Sequence, residues 1–308
     1  MKRSSTLLLA LTAAFVLAAP AVAAAAAQEL TGTLKKIKDS GSITIGHRDA
    51  SVPFSYYDDK QQPVGYAMDL CMRIVDAVKS ELKSPKLDVK YQLVTSANRI
   101  PLISNGTVDL ECGSTTNNLE RQKQVAFTIT HFLTANRWLS KKASKLNTVN
   151  DLKGKTIVST SGTTNIKQIT ELNASKNLGI NIIPANGHAE AFQMVETGRA
   201  VAFVMDDILL YTLVAQSRSP GDYVISSEAL SLPEPYGIML RRDDPAFKKV
   251  VDNAMIQTYK SGEINKLYDK WFLKPVPPKG INYNVPMTQQ FKNLIAKPSD
   301  SGDPTAYK

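Results

Sequence analysis

One pattern recurs along the chain and limits what it can become. A short apolar run with strand character ends in a loop of small hydroxyl-bearing or acidic residues, and helix-forming sequence comes next. Residues 106–112 leave the turn at Asn105 and Gly106 and run into Gly113, Ser114, Thr115 and Thr116. Residues 155–159 run into a Ser-Gly-Thr-Thr loop ending at Thr164, ahead of a helix over 165–172. Residues 200–204 run into Met205, Asp206 and Asp207. Such alternation predicts α/β sheets with parallel strands, and ligands of these sheets gather beyond the carboxyl ends of the strands. Residues 43–48 form another strand, ending at Arg48. Arg48 and the Ser114 loop are therefore expected on one rim.

The remaining pattern fills in around this frame. Helices are expected at 34–40, closed by Gly41, and after residues 64–69, where Leu70, Ile74, Val75 and Val78 share a face. Residues 87–94 alternate as a strand, and 99–104 form a short helix that tolerates Pro101 in its first turn. Further strands are expected at 179–183 and 236–240. Helices are expected at 190–197, after Asp244-Pro245, and at 262–271. The tail from Lys297 is polar and expected to fray, with 301–308 flexible. Helix, glycine, strand and polar loop occur in both halves, which points to two related architectures without a sequence repeat.

Met1-Lys2-Arg3, an apolar run over 7–19 and an alanine tract make residues 1–27 a cleavable signal peptide, with the cut between Ala23 and Ala27. The 308 residues suffice for two domains. The formal charge of +9 becomes +7 once Lys2 and Arg3 are removed. A basic balance can steer anionic ligands, but no dense Lys/Arg tract with interleaved aromatics suggests nucleic acid. Cys71 and Cys112 either form a disulfide, which an oxidising compartment permits, or are two small buried hydrophobes. No zinc spacing exists, and no cofactor is expected.

The stretch over 113–128, with Ser114, Thr115 and Thr116 followed by Glu120-Arg121 and Phe127-Thr128, resembles the signature of the periplasmic amino-acid-binding proteins of ABC transporters. The wording over 111–118 is close to the glutamate/aspartate-binding members. The resemblance implies a type II periplasmic binding protein fold: two α/β domains, a two-strand hinge, and a ligand in the cleft. Domain 1 would comprise 28–135 and 236–300, and domain 2 would be inserted over 136–235. It also implies that Arg121 and the hydroxyl loop hold a ligand's α-carboxylate. Thr116 and Thr164 would donate to that group from opposite domains. Ser114, where many relatives have glycine, adds a hydroxyl. Asp206, rather than Asp207, is the expected partner of the α-ammonium group.

Arg48, Arg99 and His188 would set the side-chain preference, with Ser96 orienting Arg99 or touching the ligand. Gathered with Arg121, they crowd positive charge into one cleft, which is costly unless an anion neutralises it. A dicarboxylic amino acid does so. A neutral amide would turn N–H donors toward guanidinium donors, a mismatch of about 1–3 kcal/mol, or roughly ten- to a few hundredfold in affinity. The expected function is capture of L-glutamate and L-aspartate by hinge closure, for a membrane permease, by a periplasmic monomer. Glutamine is the alternative ligand. A periplasmic dehydratase of cyclohexadienyl substrates on the same fold would need a general acid or base; His188 is the one candidate in the cleft, and it is better employed on a carboxylate. His47, His131, Trp138 and Trp271 read as structural, with Trp138 close enough to the hinge to report closure.

Overall fold

The computed structural model describes residues 29–308; the expected signal peptide lies outside the described residues. From Thr31 onward the chain forms one compact unit with two five-stranded sheets. The first has the order Asp88–Leu93, Ser42–His47, Leu110–Glu111, Met239–Arg241, Val125–Phe127. Its first three strands run parallel, and Met239–Arg241 is antiparallel to both neighbours. The second has the order Asn181–Ala185, Thr156–Thr160, Ala202–Asp206, Asn136–Lys141, Tyr223–Ile225. Again three strands are parallel and the fourth, Asn136–Lys141, is antiparallel to its neighbours.

The α/β reading stands, but the sheets are mixed rather than wholly parallel. The parallel strands are those linked by helical crossovers. The antiparallel ones are those by which the chain enters each sheet from the other, with no helix to reverse it. Phe132–Thr134 and Glu234–Tyr236 pair antiparallel between the sheets. The chain thus leaves the first domain and returns to it through one two-stranded connection. The strand expected over 236–240 is divided at Gly237, with Tyr236 in this connection and Met239 in the first sheet.

Each domain buries its own core. In the second, Trp138, Leu152, Ile157, Ile169, Ala202 and Val204 are buried together. In the first, Val94, Ile103, Val108, Val125, Phe127 and Met239 are. Beside the connection, Phe132 stacks on Phe272 with ring centroids 5.1 Å apart, and Phe54 meets Tyr236 edge-on at 5.2 Å. Aromatic rings of this size contribute much apolar burial per residue, so the connection is packed against an aromatic cluster.

Cys71 and Cys112 form a disulfide. It joins helix Tyr66–Glu81 to the residue just before Gly113. The C-terminal segment does not fray as expected. Tyr307 is buried, its hydroxyl meets Thr130 Oγ1 and the Ser301 carbonyl, and the Asp300 carbonyl accepts from Asn117 and Gln122. One buried aromatic ring and these paired backbone groups hold a segment whose composition is otherwise polar.

Candidate functional site

Eight of the nine candidate residues are buried, namely Arg48, Ser96, Arg99, Ser114, Thr116, Arg121, His188 and Asp206, and Thr164 is half-buried. Ser96, Arg99, Ser114, Thr116, Thr164, His188 and Asp206 line one cavity, together with Thr163, Asn165, Met205 and Leu209. It is narrow, with about 10 Å³ open to the centre of a water molecule. Arg48 is not in the lining but stands beside it, its Nη2 3.5 Å from His188 Nε2. Arg121 lies outside the lining, donating from Nη1 to the Thr116 carbonyl (2.8 Å) and from Nη2 across the cleft to the Gly162 carbonyl (3.2 Å).

Local structure explains these positions. Arg48 follows strand Ser42–His47, and Arg99 is the first residue of helix Arg99–Ser104. Arg121 opens a single 3-10 turn, Arg121–Lys123, instead of lying in open loop, with its N–H bonded to Asn118 Oδ1. Thr164 and His188 are the first residues of helices Thr164–Ser175 and His188–Glu196. Those helices begin earlier than the apolar spacing indicated because polar residues fill their first turns. Thr163 caps the first by accepting from the Ile166 N–H, so that helix presents its positive dipole end, at Thr163, Thr164 and Asn165, to the cavity.

Two glycines let the walls come this close. A Cβ on Gly113 would lie 2.4 Å from Glu111 Oε1 and 3.1 Å from Arg48 Cγ. Gly162, at φ +74°, has the backbone of the opposite domain against it: a Cβ there would lie 2.6 Å from Ala97 Cα. Gly162 is one of the places where the domains touch.

Three buried guanidinium groups stand among three buried carboxylates, those of Glu111, Asp206 and Glu234. Burial, then the neighbouring Arg99, pulls Arg48 down to about 10; the same two causes bring Arg121 to about 10. Burial also lowers Arg99. His188 is depressed well below the usual imidazole range by burial, then by Arg48 and Arg99. Its Nδ1 pairs with Thr160 Oγ1 at 2.9 Å. Several donors find no acceptor in the protein: Arg48 Nε and Nη1, Arg99 Nε, and the hydroxyls of Ser96 and Ser114. Buried N–H groups without partners are costly, and this cluster of them is suited to an anion with several oxygens.

Asp206 lies on the opposite wall, bonded to Asn165 Nδ2 (2.8 Å) and to the Tyr236 hydroxyl. Burial, then nearby Glu234, raises it to about 7. Asp207 turns away, accepting from Thr134 Oγ1 at 2.7 Å.

Two glutamates were not anticipated. Glu111 is fully buried behind Arg99, accepting from Thr115 Oγ1 at 2.6 Å. Glu234 accepts from Thr116 Oγ1 (3.0 Å), Thr164 Oγ1 (3.1 Å) and Gln168 Nε2 (2.7 Å). The hydroxyls of Thr116 and Thr164, expected to donate to a ligand, are thus directed at a protein carboxylate. A glutamate inside an apolar strand and another between two prolines carry no sequence signal of this.

An L-glutamate/L-aspartate-binding protein of Pseudomonas aeruginosa is 54% identical over 301 residues, spanning 97% of this chain and 98% of its own. A glutamate/aspartate import solute-binding protein of Escherichia coli is 46% identical, with 97% and 98% spanned. Among solved structures, the cysteine-binding protein from Campylobacter jejuni matches with a TM-score of 0.69 at 27% identity, over 78% of this chain and 93% of that one. A mutant of the T. maritima arginine-binding protein ArgBP matches at 0.67 and 29%, over 77% and 98%. The family model for bacterial extracellular solute-binding proteins, family 3, fits residues 43–274. The chain belongs to that family.

Proposed function

We propose that this protein is the extracytoplasmic binding component of an ABC importer, capturing L-glutamate and L-aspartate. The observation that carries the reading is Arg99 in the cavity wall, with Arg48 and Arg121 bonded to lining residues from outside it, and with N–H groups of Arg48 and Arg99 and two serine hydroxyls left without protein acceptors. A ligand with two carboxylates supplies acceptors for both ends of that array. Arg121, with Ser114, takes the α-carboxylate. Arg48, Arg99 and His188, with Ser96, take the side-chain carboxylate. Asp206 takes the α-ammonium group. The names of the Pseudomonas and Escherichia relatives fit this ligand class.

The moving bodies are residues 28–135 with 236–300, and 136–235, hinged on the paired segments Phe132–Thr134 and Glu234–Tyr236. Closure around the ligand is a population shift driven by contacts that only the closed form makes. The closed form is what a permease at the inner membrane would recognise. The protein acts as a monomer in the periplasm after loss of its signal peptide, and no covalent chemistry is involved. His188, held neutral between Thr160 and Arg48, is a hydrogen-bonding group here and not a general base.

Calorimetric titration of refolded mature protein with glutamate, aspartate, glutamine and arginine tests this. Tight binding of both acids, with glutamine weaker by at least about tenfold, is the expected result. Preference for glutamine or arginine would overturn the ligand assignment.

A further inference from the structure

Glu234 stands outside the cavity, yet it touches two of the residues that line it. Its carboxylate sits on the connection between the domains, where its backbone is paired with Thr134 and flanked by Pro233 and Pro235. Oε2 accepts from Thr116 Oγ1 at 3.0 Å and from Thr164 Oγ1 at 3.1 Å; Oε1 accepts from Gln168 Nε2 at 2.7 Å. Thr116 comes from the first domain and Thr164 from the second. Their oxygens stand 3.5 Å apart.

A threonine hydroxyl has one proton and two lone pairs. A proton given to Glu234 cannot also be given to a ligand, so what each hydroxyl offers the cavity is a lone pair. We infer that Glu234 is a positioning residue: by taking the hydroxyl protons of Thr116 and Thr164 from behind, it turns both oxygens toward the ligand as acceptors and assigns this corner to the α-ammonium group. This rests on the proposed amino-acid ligand and reverses the direction expected for the two threonines.

The arrangement accounts for several features together. An ammonium group has three N–H donors, and the cavity lining supplies Thr116, Thr164 and Asp206 as acceptors. Removing the threonines from carboxylate binding leaves both ligand carboxylates to the arginines and to Ser96 and Ser114; buried groups of Arg48, Arg99 and the two serines lack acceptors. Because the two oxygens come from opposite domains, Glu234 can orient both only when the domains are together. Ammonium recognition and closure then depend on the same carboxylate. Gln168 fixes the polarity, since its N–H occupies one glutamate oxygen and leaves the other for the threonines.

The test compares L-glutamate with 2-oxoglutarate, in which a carbonyl oxygen replaces the ammonium group. In Glu234→Gln, the Gln168 N–H holds the new amide oxygen, so the new amide N–H₂ faces the threonines and their protons turn inward against the ammonium. Glutamate affinity should fall roughly ten- to a hundredfold, while 2-oxoglutarate is unchanged or improved. Loss of a negative charge alone would also favour the dianion. Thr164→Val, which keeps Glu234, therefore supplies the second arm and serves if the first variant does not fold. It should cost glutamate more than 2-oxoglutarate. Equal losses of the two ligands in Thr164→Val, or an unchanged ratio of their affinities in Glu234→Gln, would overturn the inference. Failure of the unaltered protein to bind glutamate would instead remove the proposed function itself.

Discussion

The two walls of the cleft are built on opposite electrostatic plans. The first domain contributes three buried guanidinium groups, and behind them Glu111 and the Cys71–Cys112 bridge, which holds the strand end leading into the Ser114 loop. The second contributes a helix N-terminus, a neutral imidazole and the Asp206 carboxylate, with no disulfide in its frame. The difference separates two tasks. On the proposed assignment, the buried guanidinium groups of the first wall bear chiefly on the ligand's carboxylates, and the helix end, hydroxyl and carboxylate of the second bear on its ammonium group and on closure.

The largest test of this division is Arg121→Ala. It removes a buried charge that also bridges to Gly162, and should weaken every amino-acid ligand by roughly a hundredfold or more, measured by calorimetry; a loss confined to acidic ligands would break the division of roles. Arg99→Ala should instead erase selectivity, costing glutamate roughly ten- to a few hundredfold while leaving glutamine nearly unchanged.

Gly162→Ala attacks the moving wall. An added Cβ would press on Ala97 of the opposite domain, which should cost about 1–3 kcal/mol in the closed form, seen as roughly five- to a hundredfold weaker binding of acidic and neutral ligands alike. Reordering of ligand preference in this variant would mean that the second domain selects after all.

Acidification probes Asp206. Its raised value near 7 means that below that pH a proton must leave before an ammonium group can bind. Glutamate affinity should therefore fall between pH 7 and 5, by up to about tenfold per unit. A rise on acidification would transfer the titration to His188, whose depressed imidazole would gain a proton beside the ligand's carboxylate. The smallest effect belongs to the exposed pair Lys167–Glu120, which spans the cleft mouth. Lys167→Ala should change affinity by less than about fivefold, so a larger loss would show that closure depends on surface charge.

Much of this was legible in the sequence because strand ends announce themselves. Arg48, Ser114 and Asp206 follow apolar runs directly, and the Ser161-Gly162-Thr163-Thr164 loop precedes a helix. What stayed hidden is what depends on three-dimensional approach. Glu234 meets Thr116 and Thr164 only after the chain has crossed between domains twice, and no spacing encodes that meeting. Mixed sheet direction was missed for the same reason: a crossing strand and a crossover strand share one apolar pattern. The bridge could not be decided because two cysteines 41 residues apart fit either reading. The docked tail depended on one tyrosine finding a buried seat.

The tryptophans have a practical consequence for spectroscopy. Trp138 is fully buried in the second core, with its indole N–H bonded to the Leu146 carbonyl at 3.3 Å. Trp271 lies in the first domain with its N–H on Asp69 at 2.7 Å and Lys270 over its ring. Neither lines the cavity. Each emitter belongs to one rigid body, and its surroundings travel with it. Intrinsic fluorescence should therefore record unfolding strongly and ligand capture weakly, and an optical reporter of capture needs a dye placed across the cleft.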